Sequence, residues 1–217
     1  EESPDGFERM AAYFAERAAG GVGMIITGGI APNEEGGMVF RDENGDAVFT
    51  ASKLSTDAEA DGHKLITEAV HTADPDVKIC MQILHMGPLA MNDQLVAPSA
   101  VRSRISKFTP NELDAEGIEK QIEDHVNCAR LAQKAGYDGV EIIGSAGYLI
   151  STFLVEKTNM RTDEYGGAYE NRMRFALEVV RRCRAAVGED FIIIFRIAGM
   201  DMLEGGMSWD EVALLAR

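Results

Sequence analysis

Apolar residues at Phe7, Met10, Ala11, Phe14 and Ala18 recur at helical spacing, and Gly20-Gly21 ends that run. The period then changes: Met24-Ile25-Ile26-Thr27 is a short, mostly apolar stretch closed by Gly28-Gly29, which reads as a buried strand. The same alternation continues along the chain. Helical spacing returns at Leu65, Ile66, Ala69 and Val70 behind a capping box of Thr56 and Glu59. A second strand is expected at Lys78-Ile79-Cys80-Met81-Gln82-Ile83-Leu84-His85. The next helix opens at Thr109-Pro110-Asn111-Glu112 or at Asp114, carries Ile118, Ile122, Val126 and Ala129, and closes at Gly136. Gly139-Val140-Glu141-Ile142-Ile143 is the third strand, followed by a helix through Phe175, Val179, Cys183 and Ala186. Residues 191–197 make the fourth strand, and Ser208 with Glu211 caps a final helix. Ser3 and Pro4 are the expected N-cap and first helical position of the first helix.

Strands that are near-continuous apolar runs joined by helices point to an α/β fold with a parallel sheet covered by helices. The connections are lopsided: helix-to-strand links are about three to five residues, whereas most strand-to-helix links run to about twenty-five, well beyond the common length. Long loops therefore gather at the carboxyl ends of the strands, where α/β folds keep their chemistry. No G-x-G-x-x-G follows a strand, so a (β/α)8 barrel is favoured over an open dinucleotide-binding sheet.

Composition narrows the function. With 21 Lys+Arg against 36 Asp+Glu, the net charge of −15 makes nucleic acid and anionic membrane surfaces poor partners. An anionic small molecule then needs a local basic patch. Three separated cysteines form neither a metal site nor a disulfide framework, which suits a reducing, cytoplasmic setting. There is no run of about 18 apolar residues that spans a bilayer.

The polar residues at the strand ends are Thr27, Gln82, His85, Glu141, Tyr148 and Arg196. This set lacks metal-ligand spacing and a nucleophile elbow, so a metal hydrolase or triad enzyme is disfavoured. It offers one fixed cation and one neutral proton donor, as expected where a bound cofactor performs the chemistry. Plainer readings exist: Arg196 suits an ion pair with Glu141 or Asp201, Tyr148 could be a packing residue, and a lone strand-end His85 more often serves structure than catalysis.

Longer motifs add to this. Asn159-Met160-Arg161-Thr162-Asp163-Glu164-Tyr165-Gly166-Gly167, Glu170-Asn171-Arg172-Met173-Arg174-Phe175, Ala135-Gly136-Tyr137-Asp138-Gly139-Val140-Glu141-Ile142 and Gly147-Tyr148-Leu149 together resemble the old yellow enzyme family of flavin-dependent reductases. Within it, Thr27-Gly28-Gly29-Ile30-Ala31-Pro32, Gln82-Ile83-Leu84-His85 and Leu95-Val96-Ala97-Pro98-Ser99 are similar to the flavin domain of bacterial 2,4-dienoyl-CoA reductase. The resemblance implies an FMN-binding barrel, of which residues 1–217 supply about strands two to five, with one strand before them and three βα units after. Such a piece alone is expected to be inactive. It also implies NAD(P)H as reductant, and FAD and an iron–sulfur cluster elsewhere in the parent protein. Carried over by position, Thr27, Gly29, Gln82 and Arg196 contact the flavin, Tyr148 donates the proton, and Lys157 lies near an acyl-CoA substrate. The chain also departs from the pattern: Ile143 and Ala146 stand where many members grip a carbonyl oxygen, which turns the expectation away from simple enones, while dienoyl-CoA reductases usually carry an acidic residue where Ala146 stands, and Pro88-Leu89 replaces the Arg-Tyr that usually follows His85-x-Gly87.

Overall fold

The computed structural model describes residues 3–50 and 52–217. Its centre is a parallel sheet of β1 (Met24–Ile30), β4 (Lys78–Ile83), β7 (Gly139–Gly144) and β8 (Ile192–Ile197), hydrogen-bonded in that order. Helices α1 (Gly6–Ala19), α2 (Asp57–Ala73), α3 (Ala115–Lys134), α6 (Arg174–Val187) and α7 (Trp209–Leu215) alternate with the strands. Spatial order follows chain order without reversal. That is the βα progression of a barrel, because an open doubly wound sheet reverses its strand order at a switch point.

Strand alternation separates the two faces. Ile79, Met81, Ile83, Val140, Ile142 and Phe195 pack with Ile66, Ile118, Ile122, Phe175 and Val179 of the helices into one continuous core. The other face carries Ile26, Cys80, Gln82, Glu141, Ile143, Ile194 and Arg196, and it forms the inner side of the curved sheet.

Helix ends follow the sequence closely. Thr56 with Glu59 and Ser208 with Glu211 form the expected capping boxes, and of the two expected starts of α3 it is Asp114, not the Thr109–Glu112 stretch, that caps the helix through Gly117 N. The expectation for α1 needs correction: the helix begins at Gly6 with Asp5 at the N-cap, and Ser3 makes a turn in which Gly6 N donates to Ser3 O. β1 also runs on through Gly28 and Gly29, with a register shift between Ile26 and Gly29.

The long links hold structure of their own. After β1, β2 (Val39–Arg41) and β3 (Ala47–Thr50) pair antiparallel. After β4 come β5 (Val96–Ala97) and β6 (Asn111–Glu112), and after β7 the short helices α4 (Leu149–Leu154) and α5 (Tyr169–Arg172). No helix among the described residues is long and apolar enough to cross a membrane.

Candidate active site

Strand register brings the sequence-derived residues to one level. Gly29 lies opposite Gln82, Gln82 opposite Glu141 and Glu141 opposite Ile194, while Arg196 sits one inward position further along β8, opposite Ile143. Gln82 Nε2 donates to Glu141 Oε2 at 2.5 Å. The same carboxylate oxygen lies 3.9 Å from Arg196 Nη1, with the Glu141 side chain 7% exposed and that of Arg196 59% exposed. Glu141 thus fixes the Gln82 amide, leaving Oε1 as an acceptor, and only loosely restrains a guanidinium that stays open. Asp201, the other candidate partner of Arg196, accepts instead from Met207 N.

An acceptor beside a fork of cationic donors fits a flat heterocycle edge that alternates C=O and N–H, as the pyrimidine part of a flavin does. The end of β1 leaves room for it: a Cβ on Gly28 would meet nothing within 4 Å. Gly29 has an additional, internal reason to be glycine, since a Cβ there would lie 2.6 Å from Leu84 Cδ1. Thr27 is turned to the helix side and buried; its hydroxyl accepts from Gln82 N and donates to Gly28 O. Its side chain therefore ties β1 to β4. Cys80, one inward position before Gln82, is buried, and burial with the nearby Asp138 and Glu141 charges pushes its thiol up to about 11. It is no nucleophile at neutral pH.

Tyr148 stands on a turn in which Ala146 (φ 63°) and Gly147 (φ 77°) are successively left-handed. It is the N-cap of α4, and its carbonyl accepts from Thr152 N and Ser151 Oγ. Its side chain lines a cavity of about 770 Å³ with Phe40, Arg41, Met86, Met91, Lys107 and Phe108. That volume suits a small-molecule site. The cations Arg41 and Lys107 escaped the sequence reading; their only signal was their place in the long loops of the active face. Arg41 pairs with Glu34 at 3.0 Å, while Lys107 Nζ sits 5.3 Å above the Phe108 ring. Lys157 does not line this cavity and lies near Gly205.

The diagnostic 159–172 motifs build a scaffold. Buried Asn159 donates from Nδ2 to Phe153 O and Tyr165 O, and Arg161 Nη1 donates to Pro98 O and Leu113 O. The Arg161 guanidinium also holds the Asp163 carboxyl below its ordinary pKa. Arg172, likewise buried, spans Leu154 O and Glu211. These side chains secure the polypeptide beyond Tyr148 and touch neither the Gln82–Arg196 group nor the cavity.

Known proteins resemble this chain along nearly its whole length. A "NADH oxidase" of Thermoanaerobacter brockii is 37% identical over 215 residues, 97% of this chain and 32% of its own length. An N,N-dimethylglycine/sarcosine dehydrogenase of Chromohalobacter salexigens is 33% identical, over 96% of this chain and 30% of its own. The solved 2-naphthoyl-CoA reductase in complex with 2-naphthoyl-CoA superposes with a TM-score of 0.83 at 30% identity, over 96% of this chain and 33% of that one. The chain spans about a third of the length of these relatives. Its residues 1–216 match the NADH:flavin oxidoreductase / NADH oxidase family, and the chain belongs to that family of FMN-dependent, NAD(P)H-linked enzymes of the old yellow enzyme type.

Proposed function

We propose that this chain forms the flavin-facing part of a reductase that passes hydride from NAD(P)H, by way of FMN, to a conjugated C=C, with Tyr148 supplying the proton. The observation that carries this reading is one geometry: a donor–acceptor pair for a flat ring (Arg196 and Gln82) and a tyrosine-lined cavity at the same carboxyl end of the sheet. FMN, when bound, supplies the hydride. Gln82, held by Glu141, and the main chain at Gly28 and Gly29 orient the ring, as would the main chain of Thr27. Arg196 places a fixed positive charge where reduction accumulates negative charge, so no reorganisation is needed when it develops. Reduction of an activated double bond leaves a carbanion at the α position, and the Tyr148 hydroxyl protonates it as a general acid.

The substrate we propose is a conjugated acyl-CoA thioester such as a 2,4-dienoyl-CoA. The cavity's apolar wall suits an unsaturated chain; Arg41 and Lys107 line it beside Asp42, Glu43 and Asp93, so they serve as individual cationic donors and not as a basic patch. Lys157, outside the cavity, is assigned to the outer, phosphate-bearing part of such a substrate. The relative that is an N,N-dimethylglycine/sarcosine dehydrogenase favours a second reading, oxidation of a small amine by the same flavin site.

The test is anaerobic. The full-length parent protein, loaded with FMN, is reduced with NAD(P)H, and reoxidation is followed at the flavin band with a dienoyl-CoA and with a simple enone. Rapid reoxidation by the thioester, slowed about 10²- to 10⁴-fold in Tyr148→Phe, is expected. Reoxidation by enones alone removes the thioester; flavin reduction by a tertiary amine, with neither acceptor reacting, establishes the amine reading.

A further inference from the structure

We propose that His85 is a positioning residue for Tyr148, acting as a clasp between the loop after β4 and the loop after β7. The inference rests on Tyr148 being the proton donor. The main-chain carbonyl of His85 accepts from Leu149 N at 3.1 Å, so the residue beside Tyr148 is pinned to the end of β4. The His85 imidazole Nδ1 accepts from Gly87 N at 3.0 Å. That bond shapes the turn that meets the tyrosine loop. Gly87 adopts φ +55°, and a Cβ there would lie 2.7 Å from Leu149 N and 2.8 Å from its Cα. Such close main-chain packing leaves the Tyr148 loop little freedom to slide.

The ring itself is held from two further sides. A Cβ on Gly36 would stand 2.6 Å from the His85 ring, and Met86 N donates to Gly36 O, bringing the loop after β1 into the clasp. Beneath it the His125 ring stacks at 6.0 Å and 14°, itself fixed through Nδ1 to Gln121 O. His85 is buried, and its Nε2 finds no hydrogen-bond partner among the described residues. A buried, unmatched donor costs about 1–3 kcal/mol, which an apolar side chain of similar size avoids. The Gln121 side chain lies close enough to favour the protonated ring, but the one hydrogen bond of ordinary geometry that the imidazole makes among the described residues is through Nδ1. Since Nδ1 accepts, the ring proton resides on Nε2. Burial and the adjacent His125 hold the pKa well below the ordinary histidine value, so the acceptor persists at neutral pH.

The experiment separates the two half-reactions of the FMN-loaded, full-length parent protein in His85→Leu, His85→Asn, Tyr148→Phe and the His85→Leu/Tyr148→Phe double variant. Asparagine can offer Oδ1 near the place of Nδ1; leucine offers no acceptor. Misplacing a catalytic group by about 1 Å costs on the order of 10²-fold. We expect His85→Leu to slow reoxidation by the acceptor about 10- to 100-fold, with reduction by NAD(P)H unchanged, and His85→Asn to recover most of the rate. In the double variant the two losses should not multiply, leaving a rate close to that of Tyr148→Phe. Multiplying losses, or equal slowing of both half-reactions, overturn the positioning role and leave His85 as scaffold. A normal His85→Leu beside a slow Tyr148→Phe overturns it alone; a normal Tyr148→Phe removes the proton-donor reading and this inference with it. Should His85→Leu not retain FMN, His85→Gln replaces it, its carbonyl reaching toward Nε2: slow Gln with fast Asn supports the clasp, and equal rates count against it.

Discussion

Single residues in this chain divide between those of the candidate site and those that hold them in place. Arg161 belongs to the second kind although it lies in the most recognisable motif. Its side chain is 7% exposed, satisfies Pro98 O and Leu113 O, and pairs with Asp163. Arg161→Met leaves two carbonyls and a carboxylate without their donor, and we expect a loss of about 3 kcal/mol in urea unfolding. Arg161→Lys should recover little, because an ammonium cannot reproduce the planar fork. A loss under 1 kcal/mol in the methionine variant would show that water replaces the guanidinium. Family motifs in the sequence thus include residues that support the candidate site as well as residues of that site. Gln82, Glu141 and Arg196 were legible because strand ends are where polar residues stand out against apolar runs. Arg41 and Lys107 were not, since a cation in a polar loop has no pattern around it. Thr27 shows the converse: register with β4, which no one-dimensional pattern records, commits its hydroxyl to the Gln82 N–H.

Elements were read best where a local rule sets them. Thr56 accepts from Glu59 N while Glu59 Oε2 accepts from Thr56 N, as the S/T-x-x-E spacing requires. Thr56→Ala should destabilise the protein by about 1 kcal/mol, read as a lower urea midpoint at constant slope; an unchanged midpoint would mean that the Lys53–Glu59 pair at 2.6 Å already anchors the helix start. Main strands and their flanking helices followed from the change of hydrophobic period, within a residue or two at most ends. What escaped were β2, β3, β5, β6, α4 and α5, all inside the long loops. Their runs are too short for periodicity to register, and their pairing is tertiary. Tyr148 depends on such an element: α4 begins directly after it, and two left-handed residues before it set the direction of entry. The proposed proton donor is therefore placed by the elements least visible in one dimension.

At the scale of the whole molecule, apolar burial is one-sided. The helix-facing layer is continuous, whereas the inner face mixes exposed Ile26 and half-buried Ile194 with the polar groups of the candidate site. Stability therefore rests heavily on the helical layer, and that layer contains buried histidines that must stay neutral. His63 on α2 is fully buried, with Nδ1 2.9 Å from Tyr137 OH and the Phe7 ring against its edge. Burial, only partly opposed by Glu59, lowers its pKa from the ordinary 6.5 to about 4, and burial moves His125 and His85 the same way. The sign follows from linkage. Between pH 4 and 6.5 the unfolded chain binds a proton that folded His63 refuses, so acid favours unfolding throughout that window. The stabilisation is complete above pH 6.5 and is lost progressively down to about pH 4; for His63 alone it amounts to about 3 kcal/mol. This loss begins above the range in which carboxylates such as Glu178, held to about 2 chiefly by Arg181, protonate. Urea unfolding at intervals from pH 7.5 to 4.5 should show the free energy already falling by pH 5.5. His63→Gln, lower in stability at pH 7.5, should show a shallower fall. An equal slope in wild type and His63→Gln would assign the acid sensitivity to His85, His125 or the carboxylates instead.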